Sequence, residues 1–278
     1  MKQVINPAEL LVLMSHPDCI VLDASPKENK SNLSPLHSDK RIPGARPFDL
    51  KGKFSDHSAS MPNTFPSADQ FQEGCRALGI DAESRIVVYD NLGMYTAPRV
   101  WWMFKVMGHQ HVRVLDGGLP AWVEEGMEIE IKSIETYGEG SFVARPDLSV
   151  VKTMEDVLAN LAKPDYTIVD ARSAGRFKGT APEPRAGLES GHIPDSINIP
   201  YADVLDNGKL KNKEELEYIF KDVIAQEKPI VFSCGSGLTA CINLLALSTL
   251  GEYETSVYDG SWTEWAQLQG DKIRKDTC

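Results

Sequence analysis

The chain has 278 residues, 42% hydrophobic and 25% charged, and a formal net charge of −11 at pH 7. That length fits two domains of about 100–150 residues, each able to bury a core, and the composition excludes a disordered chain or a disulfide miniprotein. The acidity argues against a nucleic-acid partner, no apolar run approaches the roughly 18–20 residues that span a bilayer, and the opening MKQVINPAEL has no signal pattern, so a cytoplasmic protein without nucleic-acid or membrane partners is expected.

In chain order, the first strand signal is Ile20–Ala24, an apolar run ending in Asp23–Ala24, followed by Arg41–Ile42–Pro43–Gly44–Ala45. The β-rich run Arg85–Tyr89 leads through the turn at Asp90 to Thr96–Ala97 and an apolar helix carrying Val100, Trp101, Trp102 and Phe104, which ends near Gly108. A strand and the turn Leu115–Asp116–Gly117–Gly118 come next, and Trp122 closes the unit. Residues 131–149 hold Gly138, Gly140 and Pro146 with little periodicity, the pattern of a linker. The series then repeats. Thr167–Ala171 matches the first run and Gly191–His192–Ile193–Pro194 the second; the helix 213–220 has a solvated charged face. Pro229–Ser233 is again β-rich, Thr239–Ala240 opens an apolar helix with Ile242, Leu244, Leu245 and Leu247, and Tyr258–Asp259–Gly260–Ser261 precedes Trp265. Thr96 and Thr239, Gly108 and Gly251, and Asp116 and Asp259 all stand 143 positions apart. Short strands alternating with helices read as βα units around a parallel sheet. The expected architecture is α/β: two tandem copies, each a mainly parallel sheet flanked by helices, over 1–130 and 150–278, with 131–149 between them.

The five cysteines are Cys19, Cys75, Cys234, Cys241 and Cys278; no CxxC or CxxH pair exists. Neither a structural zinc site nor a disulfide framework is expected, and no metal or organic cofactor is implied. Cys19, Cys75 and Cys241 read as packing residues and Cys278 as terminal. Cys234 differs, because it opens the glycine-rich strand-to-helix loop Cys234–Gly235–Ser236–Gly237–Leu238–Thr239–Ala240. Such a junction collects unpaired N–H groups and the positive end of a helix, and Gly235 and Gly237 let the backbone curl around its first residue. That setting favours a nucleophilic thiolate and would hold a persulfide anion; an exposed, oxidation-sensitive thiol is expected. In the first copy the corresponding turn, Asp90–Ala97, is one residue longer and has no thiol. The irregular loop 172–185 follows a strand ending at Asp170, and in open α/β sheets ligands bind beyond such strand ends. There Arg176 and Arg185 can each offer a donor fork to a carboxylate or pair with Glu183 or Glu189.

Together these residues resemble the tandem-domain rhodanese superfamily of sulfurtransferases, and most closely its 3-mercaptopyruvate branch. The matching pieces are Asp170–Ala171–Arg172, Gly175–Arg176–Phe177, Glu183–Pro184–Arg185, Gly191–Pro194, the Cys234–Ala240 loop and Tyr258–Trp262, with Ala97–Phe104 and Leu115–Gly118 in the first half. The resemblance implies a sulfurtransferase that takes sulfur from a small-molecule donor onto Cys234 and passes it to cyanide or a thiol such as thioredoxin. It also implies that Arg176 and Arg185 hold the donor's carboxylate and the neighbouring carbonyl and that Ser261 is the active serine; the first domain, with Asp90 in place of the thiol, is expected to be non-catalytic. The family loop reads CG-S/T-GVTA in this branch, so Leu238 is a departure, while the thiosulfate branch carries Arg and Lys after the cysteine. The usual partners of the active serine, a His and an acid, fall at Asn63 and Lys51, and His57 is out of spacing. Two alternatives stand: a thiosulfate-preferring sulfurtransferase and a non-catalytic binding module. A cysteine phosphatase needs Cys-x5-Arg, and position 240 is Ala.

Overall fold

The computed structural model describes residues 2–29, 33–35 and 37–276; Cys278 lies outside them. The chain forms two compact units, one of Met1–Asp56, Phe65–Asp147 and Asn207–Leu210, the other of His57–Thr64, Leu148–Asp206 and Lys211–Cys278.

In the first unit, β1 (Val4–Ile5), α1 (Pro7–Leu13), β2 (Cys19–Asp23), β3 (Arg46–Pro47), α2 (Ala68–Ala77), β4 (Arg85–Tyr89), α3 (Ala97–Val106), β5 (Val112–Leu115) and α4 (Gly118–Glu124) follow in order. The strands pair in parallel as β1–β5–β4–β2–β3. The central strands bury both faces and so read as continuous β-branched runs rather than alternating ones; Ile86, Val87, Val88 and Tyr89 are all inaccessible. The second unit repeats the plan with β6 (Val151–Lys152), α5 (Met154–Ala162), β7 (Thr167–Asp170), α6 (Ala174–Lys178), β8 (Ile197–Asn198), α7 (Lys213–Ile224), β9 (Ile230–Ser233), α8 (Ala240–Ser248), β10 (Thr255–Tyr258) and α9 (Ser261–Leu268). Its parallel order is β6–β10–β9–β7–β8, the same permutation. The internal repeat is therefore a repeat of topology. Helix α8 is buried from Ala240 to Leu247, which explains its nearly all-apolar sequence, and Trp262 and Trp265 of α9 fill the second core.

The segment after 130 is not a free tether. Glu130–Ile131 pairs antiparallel with Lys40–Arg41, and buried Arg41 grips Glu130 and Glu135. Phe142 inserts among Phe71, Phe104 and His109. Gly140 passes where a Cβ would stand 2.2 Å from the Ile80 carbonyl oxygen. These contacts tie the segment to the first unit up to Asp147.

Candidate active site

Cys234 follows β9, a central strand whose last residue, Ser233, is in register with Asp170 at the end of β7. The thiol therefore stands at the carboxyl end of the sheet, with the loop to α8 after it. Contrary to the expected exposed thiol, Cys234 is only 1% accessible.

Two sets of contacts shape the loop. Ser261, at the start of α9, accepts hydrogen bonds from the amides of Cys234 (3.2 Å) and Gly237 (3.0 Å) and donates to the Tyr258 carbonyl (2.7 Å). The Trp262 and Thr263 amides donate to the Cys234 and Gly235 carbonyls (2.9 and 3.0 Å), and the Thr263 hydroxyl also donates to Gly235. Ser261 is fully buried with its hydroxyl consumed by main chain, so it does not offer that hydroxyl to a substrate. This corrects its expected catalytic role: it stitches the loop. It does so at φ 52, a left-handed conformation that costs a non-glycine residue about 1–3 kcal/mol. Its counterpart in the first copy is Gly118, where a Cβ would meet the Asp90 carbonyl oxygen at 2.3 Å.

The arginines behave differently from each other. Arg176 is bidentate to Glu183, Nε to Oε1 at 3.1 Å and Nη2 to Oε2 at 2.6 Å. Arg185 instead reaches the loop, donating through Nη2 to Ser236 Oγ (3.0 Å) and through Nη1 to Thr263 Oγ1 (3.2 Å). Both guanidinium groups close over the residue after the thiol: a Cβ built on Gly235 would lie 3.1 Å from Arg176 Nη2 and 3.6 Å from Arg185 Nη1. Behind them, fully buried Arg172 binds Asp170 (2.6 Å) and Glu183 (2.8 Å) and lies 4.0 Å from the Trp262 ring. Burial opposes its charge, but the two carboxylates outweigh burial and raise its pKa. Three guanidinium groups thus face two carboxylates, leaving one net positive charge beside a loop without charged side chains. The Arg176–Glu183 pair is one of the two outcomes that the sequence leaves open for Arg176; Arg172 and Thr263 are contributors that spacing alone does not announce, the Asp170–Arg172 pair at a strand end being the one cue. Asn63, set at the place of a His, donates through Nδ2 to Ser236 Oγ at 2.9 Å. Gly237, at φ 72, makes the turn that its residue type anticipates, while Leu238 is buried and Thr239 half-buried.

The first unit shows what this turn does with a carboxyl group, whose pKa burial raises against the amide hydrogen bonds it accepts. Asp90 Oδ2 accepts the amides of Tyr95, Thr96 and Ala97 at 2.8, 2.8 and 2.9 Å, and Oδ1 accepts that of Leu92 at 2.9 Å. By the 143-residue offset, the three amides on Oδ2 correspond to those of Leu238, Thr239 and Ala240. Among the described residues no protein acceptor takes these. The other thiols are ordinary: burial pushes Cys19 up to about 11 and Cys75 well above its usual value, and Cys241 points its Sγ at the Gly237 carbonyl (3.5 Å).

The fold is a doubled parallel α/β sheet with a cysteine-headed, amide-lined loop at the carboxyl end of one copy. The chain belongs to the rhodanese-like family, whose domain model matches residues 6–125 and 153–268. It is 42% identical to the thiosulfate/3-mercaptopyruvate sulfurtransferase 1 of Arabidopsis thaliana, over 91% of this chain and 73% of that protein. To the 3-mercaptopyruvate sulfurtransferase of Mus musculus it is 44% identical, over 82% of this chain and 77% of the relative. Among solved structures, the crystal structure of the 3-mercaptopyruvate sulfotransferase SseA from Escherichia coli superposes with a TM-score of 0.82 and 33% identity, covering 94% of this chain and 99% of that one.

Proposed function

We propose that the protein is a sulfurtransferase that moves sulfur from 3-mercaptopyruvate through a Cys234 persulfide to a thiol or cyanide. The observation that carries this reading is the closure of Arg176 and Arg185 over Gly235, beside a thiol whose loop carries no charge of its own. A substrate with one carboxylate, a neighbouring keto group and a terminal sulfur matches that layout: carboxylate on the guanidinium groups, sulfur against Cys234. The Cys234 thiolate attacks the substrate sulfur. A sulfur–sulfur bond forms, the carbon–sulfur bond breaks, and its electron pair passes to carbon as the enolate of pyruvate. The hydrogen of the substrate thiol balances the enolate's proton, so the net products are pyruvate and an anionic persulfide. The Leu238, Thr239 and Ala240 amides receive that anion as their counterparts receive the Asp90 carboxylate. An acceptor thiol, small or on a protein such as thioredoxin, then takes the outer sulfur. Two half-reactions through one covalent intermediate give ping-pong kinetics.

The first unit has its cradle filled by the Asp90 side chain, which supports a non-catalytic role for it. A second donor, thiosulfate, is kept because the names of two Arabidopsis thaliana relatives carry both donors; the uncharged Gly235–Ser236 pair favours the monocarboxylate. The test is Cys234→Ser, assayed for pyruvate release from mercaptopyruvate and for sulfite release from thiosulfate, side by side with the wild type. The reading requires both activities of the variant to vanish with the fold retained and the wild type to prefer mercaptopyruvate. Turnover by the variant contradicts it.

A further inference from the structure

The Ser236 hydroxyl receives two hydrogen bonds whose direction chemistry fixes. Arg185 Nη2 lies 3.0 Å from Ser236 Oγ, and a guanidinium only donates. Asn63 Nδ2 lies 2.9 Å from the same oxygen. The orientation of that amide is set by a second contact: Nδ2 also reaches the Ser236 main-chain carbonyl at 3.4 Å, an acceptor that the amide oxygen could not serve. A hydroxyl has two lone pairs and one proton. Both lone pairs are taken, and among the described residues no acceptor takes the proton. Asn63 is buried and holds this pose at φ 60, in the left-handed region that asparagine tolerates better than most residues.

We propose that Asn63 is a positioning residue that, with Arg185, fills both acceptor sites of the Ser236 hydroxyl and commits its proton to donation toward the molecule bound at Cys234. This deepens the sulfurtransferase reading and rests on it. Ser236 stands two residues after the thiol and touches Arg185. In mercaptopyruvate the keto carbon lies between the carbon bearing sulfur and the carboxylate. With the sulfur at Cys234 and the carboxylate on the guanidinium groups, the keto oxygen falls to Ser236. When the carbon–sulfur pair moves onto carbon, charge spreads to that oxygen, where a preoriented donor stabilises it. Neither Asn63 nor Arg185 can accept a proton from Ser236, so Ser236 acts as a fixed donor and not as the head of a proton relay.

The test compares Asn63→Ala with Asn63→Asp, reading kcat and KM for mercaptopyruvate across pH. Aspartate has nearly the shape of asparagine but only accepts, so it draws the Ser236 proton onto itself. The expected result is a kcat loss of about threefold to tenfold for the alanine variant. For aspartate we expect a loss roughly tenfold deeper, which recedes as the new carboxylate is protonated and disappears in a Ser236→Ala background. Ser236→Ala alone lowers kcat by tenfold or more, and Ser236→Thr, which keeps the hydroxyl, restores most of it; this pair decides the matter if the Asn63 variants do not fold. A kcat for Asn63→Asp equal to or above that of Asn63→Ala overturns the proposal, as does a Ser236→Ala enzyme with unchanged kcat. Absence of mercaptopyruvate turnover in the wild type would instead overturn the sulfurtransferase reading.

Discussion

Ser261 offers a quantitative test of how the active loop is held. Its side chain is inaccessible, accepts the Cys234 and Gly237 amides and donates to the Tyr258 carbonyl. Ser261→Ala leaves two buried donors and one buried acceptor without this partner. At the low end of about 1–3 kcal/mol for each group, the loss is about 3 kcal/mol. The φ of 52 adds a second component. Ser261→Gly loses the same hydrogen bonds but removes about 1 kcal/mol of backbone strain, so it should be less damaging, at about 2 kcal/mol. Urea unfolding of the three proteins at one pH gives both differences from the midpoints and slopes. The order wild type, glycine, alanine is required. An alanine variant within about 0.5 kcal/mol of wild type, or a glycine variant less stable than alanine, refutes the stitching role.

Glu183→Ala should cost about 3 kcal/mol or more, because it leaves buried Arg172 with Asp170 as its one carboxylate partner and frees Arg176; thermal unfolding reads the loss, and an unchanged midpoint speaks against the network. Asp90→Asn keeps the shape and can present one oxygen to the three amides on Oδ2, whereas Asp90→Ala leaves all four without an acceptor. The alanine variant should therefore be the less stable of the two by about 2 kcal/mol in urea; equal stabilities would show that the amides do not depend on the carboxylate. Burial, aided by Glu155 and Asp259, raises the Glu264 pKa against the opposing hydrogen bond from Tyr258. A raised carboxyl holds its proton more tightly folded than unfolded, so the wild type loses stability as pH rises from the ordinary carboxylate value near 4.3 through the raised one. Glu264→Gln should thus gain on the wild type as pH rises above the ordinary carboxylate value of about 4.3, and a pH-independent difference between the two would contradict this.

The fold was legible because both sheets bury both faces of their central strands, so Arg85–Tyr89 and Ile230–Ser233 stand out as apolar runs, and the common spacing betrays the duplication. The Cys234 loop and its two arginines were legible because glycine, thiol and guanidinium chemistry is strongly local or strongly directional. The rest depended on geometry that residue types do not carry. Ser261 matched a family serine in sequence, yet its φ of 52 turns it into the main chain, and Ser236 takes the contacts with Asn63 and Arg185. Residues 57–64 belong to the second unit although they precede most of the first, an arrangement no periodicity announces. A pairing of Glu183 with Arg176 is open from the sequence, but its burial and its second partner Arg172 are not, since a glutamate in a Gly/Pro-rich loop ordinarily faces water. Residues 131–149 read as a linker because isolated anchors such as Phe142 and the close pass of Gly140 leave no periodic trace.

The persulfide itself is the most direct object of measurement. After incubation with mercaptopyruvate and no acceptor, followed by alkylation and digestion, mass spectrometry of the peptide carrying Cys234 should find one added sulfur atom there, removed on addition of a thiol and absent from the peptides of Cys19, Cys75 and Cys241. An unmodified Cys234 alongside released pyruvate, or the extra sulfur on another cysteine, would contradict the account.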